Sequence, residues 1–314
     1  MHSKHTDAHA LTRWAWLSIA VAIATIGLKL WAYAVTGSVG ILSDALESLV
    51  NLVAAVIALM ALMIAARPAD DRHHFGHGKI EYFSAGAEGL MVIVAAILIV
   101  VEAVQRLISP QPLESLGIGI GVTLAATVLN GLVGWLIIRA GRRARSLTLV
   151  ADGKHLITDV WTSVGVVVGV ALVGLTGWMP LDSLVAFAVA ANIIWTAIGL
   201  IRAAVRGLLD HAMDPADEEV IKDTLRTIRA DYPDGQIAFH ALQTRESGRE
   251  RFVSVHVLVP GSWTVQQGHD LVERCEGAVR DAVPGVHCLT HLEPIEDPRS
   301  HGDSFGGVAV HPSG

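Results

Sequence analysis

Of the 314 residues, 52% are hydrophobic and only 17% are charged, a balance too apolar to be hidden inside one soluble core. The formal net charge of −7, with no cluster of Lys and Arg on one face, argues against nucleic acid as a partner. Two cysteines without a CxxC pairing indicate neither a disulfide framework nor a thiolate zinc site, so the excess that asks for an explanation is the 15 histidines.

Residues 1–13 form a polar N-terminal tail with His2, His5 and His9, and the apolar stretch after it is too long for a cleaved signal. Roughly 20 apolar residues cross a hydrocarbon layer as a helix, and six segments meet that length: Trp14–Val35, Val39–Ala66, Tyr82–Ile108, Leu116–Ile138, Leu147–Leu175 and Leu181–Val205. They make residues 14–208 an all-α six-helix transmembrane bundle. The separators Thr36-Gly37-Ser38, Pro110-Gln111-Pro112 and Gly177-Trp178-Met179-Pro180 hold helix-ending Gly and Pro and no Lys or Arg. Basic residues gather at the alternate ends, at Arg67, Arg72 and Lys79, at Arg139, Arg142, Arg143 and Arg145, and at Arg202 and Arg206. The positive-inside bias therefore puts both termini in the cytoplasm.

Polar residues are costly in a bilayer and mark a pathway or a bundle interior. The second span carries Asp44, Glu47 and Asn51, which helical spacing places on one stripe, and the fifth carries Asp152, His155 and Asp159. Packed together, these helices offer Glu47, Asn51, His155 and Asp159 to one tetrahedral ion, with Asp44 as a secondary candidate; hydrogen bonding between helices is the competing explanation. Glu88 and Glu102, isolated acids of the third span, are assigned to packing or pathway lining. In the connection Pro68 to Lys79, the spacing of Asp70, His73 and His77 suits three ligands around a zinc-like ion.

From residue 209 to 298 the composition is that of a soluble domain. An acidic helix start at Asp214 runs to about Asp231, followed by strands Ile237–Thr244 and Arg251–Val259, a helix Trp263–Val283 and a strand Val286–Glu293, giving an α+β αββαβ order of ferredoxin-like type. Alternation puts Val253, Val255, Val257 and Val259 on the core face and His256 on the other, and it brings His287, Leu289, His291 and Glu293 out together. Residues 299–314, with His301 and His311, read as a disordered tail.

The second-span segment Ser43 to Asn51, the loop with its FGHGK core, the fifth-span Asp152, His155 and Asp159, and the C-terminal histidines together resemble the cation diffusion facilitators, most similar to bacterial zinc and iron efflux members that form homodimers. The resemblance runs nearly end to end. It implies a transport site of two Asp on the second helix and a His plus an Asp on the fifth, from which Glu47 and Asn51 depart by a methylene and a lost charge. It also implies a metal site in the cytoplasmic domain from His240, His256, His269, His291 and Glu293, a dimer interlocked by Lys79 and Asp210, and a bacterial inner membrane as host.

The function expected is therefore efflux of a divalent transition metal in exchange for protons by alternating access, with His155 as the coupling residue and Zn²⁺ as substrate and structural ion. Fe²⁺, Co²⁺ and Cd²⁺ also suit the ligands. A membrane metalloenzyme, for which no HExxH motif speaks, and a metal sensor or assembly factor that does not transport are the rival readings.

Overall fold

The computed structural model describes residues 3–36, 39–109, 117–178, 180–302 and 310, with side chains described except at 3–10, 35–36, 39–47, 50–51, 117–120, 123, 166–167, 169–171, 173–174 and 182. The chain forms two compact units, Met1–Arg206 and Gly207–Gly314.

The first unit is helical: α1 (Ser3–Thr36), α2 (Val39–Ala65), α3 (Ile80–Ile108), α4 (Gly117–Ala144), α5 (Leu147–Thr176) and α6 (Pro180–Leu208), the last running just past the unit boundary. Each expected span falls on one of them, except that Ala66 lies one residue past α2 and Leu116 lies outside the described residues. Helix α1 starts eleven residues before Trp14, so the polar tail continues the same helix instead of preceding it. Among the described residues, Leu11–Ala34, Ile80–Ile108, Leu124–Ala144 and Ser183–Leu208 are long and apolar enough to cross a membrane.

A core of Ala15 and Ile19 (α1), Ala55 and Leu59 (α2), Val133 and Ile137 (α4), and Leu149 and Leu156 (α5) joins four helices, and α3 meets α6 through Val92, Ala96, Ile193 and Ala197. Helices α4 and α5 approach backbone to backbone. A Cβ on Gly153 would stand 2.9 Å from the Gly134 carbonyl oxygen and from the Ile138 nitrogen, so only glycine permits this spacing. At the foot of α5, the Ser146 hydroxyl donates to the Glu81 carboxylate and Thr148 Oγ1 donates to the Glu81 carbonyl at 3.2 Å, tying the first turn of α3 to the first turn of α5. Glu81 is fully buried there.

The second unit contains α7 (Pro215–Ala230), β1 (Ala238–Ser247), β2 (Glu250–Val259), α8 (Val265–Ala282) and β3 (Val286–Pro294). This is the αββαβ order expected. Asp214 caps α7 by accepting from the Ala216 N–H at 2.9 Å, and Thr264 and Gln267 form a capping box at the start of α8. The sheet order is β1-β2-β3, with β1 antiparallel and β3 parallel to β2. Strand β1 runs three residues past Thr244 because Thr244 to Ser247 pair with Val253 to Glu250 around the tight turn at Gly248 and Arg249. Val253, Val255, Val257 and Val259 are buried with Ile221, Leu225, Leu271 and Val279, so one face of the sheet is core and the other is left for the histidines. Cys275 and Cys288 are free thiols, and burial pushes both up to about 12.

The stretch from residue 299, expected as disordered, is structured at two points. Pro298–His301 forms a 3₁₀ turn capped by Asp297, and Val310 is fully buried in the domain core, its carbonyl accepting from Arg226 Nε at 3.2 Å. An apolar side chain and a capped turn supply the local reasons.

Candidate metal centres

In the C-terminal unit the strand register assembles a row of imidazoles. His240 of β1 is opposite His256 of β2, which is opposite His291 of β3, and adjacent rings lie 5.0 and 5.1 Å apart. A bulge between His240 and Gln243, with Ala241 at φ 50°, sets the position of His240. Two residues along β3 from His291, Glu293 completes the group. Its Oε2 is 3.2 Å from His240 Nε2 and 3.2 Å from His256 Nδ1, and its Oε1 is 3.4 Å from His291 Nε2.

Tetrahedral zinc with bonds of about 2.0–2.1 Å holds its ligand atoms roughly 3.3 Å apart, which is the spacing of these imidazole–carboxylate pairs. The ligand atoms of His240, His256 and Glu293 all lie within 4.8 Å of one another. His269 is exposed on α8 and falls outside that group. Its neighbour Gly268 marks a close approach of α8 to β3, since a Cβ there would stand 2.3 Å from Leu292 Cδ2.

The loop between α2 and α3 brings together the second expected set. Asp70 Oδ1 accepts from the backbone N–H groups of Arg72 and His73 at 2.9 and 2.8 Å, and these bonds fold the loop so that His73 Nδ1 lies 3.1 Å from Oδ1 and His77 Nε2 lies 3.4 Å from Oδ2. The two rings are 4.3 Å apart. The Arg72 N–H is the largest influence holding the Asp70 carboxyl below its ordinary value, against a smaller opposing effect of burial, so Asp70 is presented as an anion.

The third set lies in the helical unit. His155 is buried on α5, and Asp159, one turn on, accepts from Asn130 Nδ2 of α4 at 3.3 Å. One turn before His155, Asp152 Oδ1 accepts from the Ser18 hydroxyl of α1 at 2.9 Å. Helices α2 and α5 are packed neighbours. The side chains of Glu47, Asn51 and Asp44 lie outside the described residues. Ser48, immediately after Glu47, is buried and accepts from Lys29 Nζ of α1 at 2.7 Å. Of the other isolated acids, Glu88 is fully buried beside Ser84, whose Oγ is 3.3 Å away, and Glu102 pairs with Arg106.

Lys79 precedes α3, and Asp210, at φ 53°, is held within the C-terminal unit by Arg245 Nη1 at 3.0 Å.

Residues 15–209 match the family model for the cation efflux transmembrane domain, and residues 214–295 match that for the cation efflux protein cytoplasmic domain. The chain belongs to the cation diffusion facilitator family. Its relatives include the uncharacterized transporter sll1263 of Synechocystis sp., 53% identical over 92% of this chain and 93% of that protein. The cation-efflux pump FieF of Salmonella arizonae is 31% identical over 92% of this chain and 94% of its own length, and that of Salmonella schwarzengrund is 31% identical over 96% and 98%. The chain is thus a multi-pass membrane protein of a metal-cation efflux family.

Sequence reasoning missed Asn130 and Ser18, the partners of Asp159 and Asp152, although an Asn inside an apolar span is itself a signal. It also left aside His301, whose ring stands 6.5 Å from that of His240.

Proposed function

We propose that this facilitator exports a divalent transition metal, zinc foremost, from the cytoplasm by proton-coupled alternating access. The observation that carries the reading is a buried His155 one turn from Asp159 on a helix packed against α2, the helix bearing Glu47 and Asn51 on one stripe. An imidazole binds a metal ion or a proton at the same nitrogen, and its ordinary pKa of about 6.5 lets the two compete near neutrality. His155 is then the coupling residue. Asn130 orients Asp159, and a site of two carboxylates, one imidazole and one amide suits Zn²⁺, with Fe²⁺, Co²⁺ and Cd²⁺ as further substrates.

Asp70, His73 and His77 form the metal site at the cytoplasmic mouth. His240, His256, His291 and Glu293, with His269 from α8, form that of the cytoplasmic domain, where bound ions stabilise a homodimer. In the dimer, Asp210 is shared between Arg245 of its own chain and Lys79. The host is the bacterial inner membrane, with both termini cytoplasmic as the basic loops require.

Proteoliposomes test the transport claim. With an imposed proton gradient, the intact protein takes up Zn²⁺, and the His155→Ala, Asp159→Ala double variant, reconstituted to equal density, takes up none. Flux surviving in that variant, or absent from the intact protein for Zn²⁺, Fe²⁺, Co²⁺ and Cd²⁺ alike, would overturn the proposal.

A further inference from the structure

The C-terminal cluster is built around the two oxygens of Glu293. Oε2 faces His240 Nε2 and His256 Nδ1, each at 3.2 Å, whereas Oε1 faces His291 Nε2 at 3.4 Å. An ion on the Oε2 side thus has three donors from this chain, and a tetrahedral ion takes a fourth.

The turn after β3 carries another imidazole to that side. The ring of His301 lies 6.5 Å from the ring of His240 and is tilted by 38° to it. Its support is specific. The Ile295 N–H donates to the Val259 carbonyl at 2.8 Å, which fixes the exit of β3 against the end of β2. Pro298 opens the turn, Asp297 caps it by accepting from the Arg299 N–H at 2.9 Å and pairs with the Arg299 guanidinium, and Ser300 is buried.

The hydrogen bond made by His301 determines which of its nitrogens is available. Nε2 lies 3.0 Å from the Ile295 carbonyl oxygen. A carbonyl oxygen only accepts, so Nε2 carries the hydrogen, and in the neutral ring Nδ1 is left with its lone pair. Without the ion, the Ile295 carbonyl holds the ring beside the cluster with a nitrogen lone pair ready for a metal.

We propose that His301 is the fourth ligand of a divalent-metal site made with His240, His256 and Glu293, so that the ion fastens the end of the chain to the sheet within one subunit. The inference rests on reading that cluster as a metal centre. His301 stands outside the ligand group as it is now placed, and rotation of its side chain exchanges the Ile295 carbonyl for the ion while the capped turn stays in place; His291 with Glu293 Oε1 is left for a second ion.

The test uses the full-length protein in detergent, carrying Asp70→Ala and His155→Ala so that the other two proposed sites do not compete. Zn²⁺ affinity is read by competition with a chromophoric chelator, and the ligand set is read from the absorption of bound Co²⁺. In this background, His301→Ala weakens Zn²⁺ binding by about tenfold or more, at least the loss expected when the support of a metal ligand is removed. His301→Cys gives a near-ultraviolet thiolate-to-cobalt charge-transfer band absent from the parent, a signal that a merely structural residue would not produce. If His240→Ala abolishes binding while His301→Ala binds as tightly as the parent and His301→Cys gives no such band, His301 is no ligand and the inference falls alone. If His240→Ala also binds like the parent, the reading of the cluster falls and takes this inference with it.

Discussion

The two units of the chain resolve burial in opposite senses. In the helical unit, large apolar side chains such as Leu98, Val128 and Trp195 face outward, while Lys29, Glu88, Asp152 and His155 are enclosed. In the C-terminal unit, Ile221, Leu225, Val255 and Val257 are enclosed, and the histidines stand on the open face of the sheet. For the two kinds of metal site proposed above, the difference implies two ways of holding an ion. Ligands walled in by lipid-facing helices meet an ion stripped of water, where each charge must be matched, whereas ligands on a half-buried sheet face exchange with an ion from solution at little desolvation cost.

The comparison can be broken in several places, beginning with the largest effect. Leu225→Ala opens a cavity in the C-terminal core and should cost that unit about 2–5 kcal/mol, read by thermal unfolding of a tryptophan signal from Trp263, which packs on this core. A lysine at Leu98 on the outward face of α3 should cost about 2.5–3.5 kcal/mol in membrane insertion, whereas a lysine at the exposed Val220 of α7 should cost about 0.5 kcal/mol or less. Equal penalties at the two sites would mean that the outer surface of the helical unit does not face lipid.

Asn130→Ala removes the amide that donates to Asp159 and should weaken apparent metal affinity in flux assays by about two- to tenfold, the worth of one hydrogen bond. An unchanged affinity would detach Asn130 from the site. The smallest effect concerns pH. The Arg299 guanidinium and then its backbone N–H hold the Asp297 carboxyl at about 2, below its ordinary 3.8. The folded-state value is the lower one, so the stabilisation of the tail turn is complete above the ordinary value and disappears as pH falls through about 2. The side-chain carboxyl resonance of Asp297 should titrate in that lower window, and Asp297→Asn should abolish the step.

Much of this architecture is legible in the residues, for identifiable reasons. Long apolar runs separated by Gly and Pro dictate the helices of the first unit, and Asp214-Pro215 announces the start of α7 to within a residue, whereas α8, read from Trp263, begins two residues later at Val265, after the Thr264 cap. Period-two alternation gives the core and histidine faces of β2 and β3, because each strand buries one side only. What alternation cannot give is register. That His240, His256 and His291 fall in one row depends on the pairing of three strands and on the bulge after His240. Nor does a polar residue in a span announce its partner, so the bonds from Asn130 to Asp159 and from Ser18 to Asp152 become visible only once helices are packed. The tail turn escaped for another reason: four residues of 3₁₀ helix held by one carboxylate leave no periodic trace.

The clamp at Glu81 has a mechanical corollary. Because Ser146 and Thr148 grip this one residue from either side of the point where α5 begins, the foot of α5 cannot swing without carrying the foot of α3, and with it the Asp70–His77 hairpin that ends three residues before α3. The hairpin is therefore a pointer attached to the helix that bears His155, and a fluorophore at the solvent-facing Phe75 would read its angle from outside the bilayer.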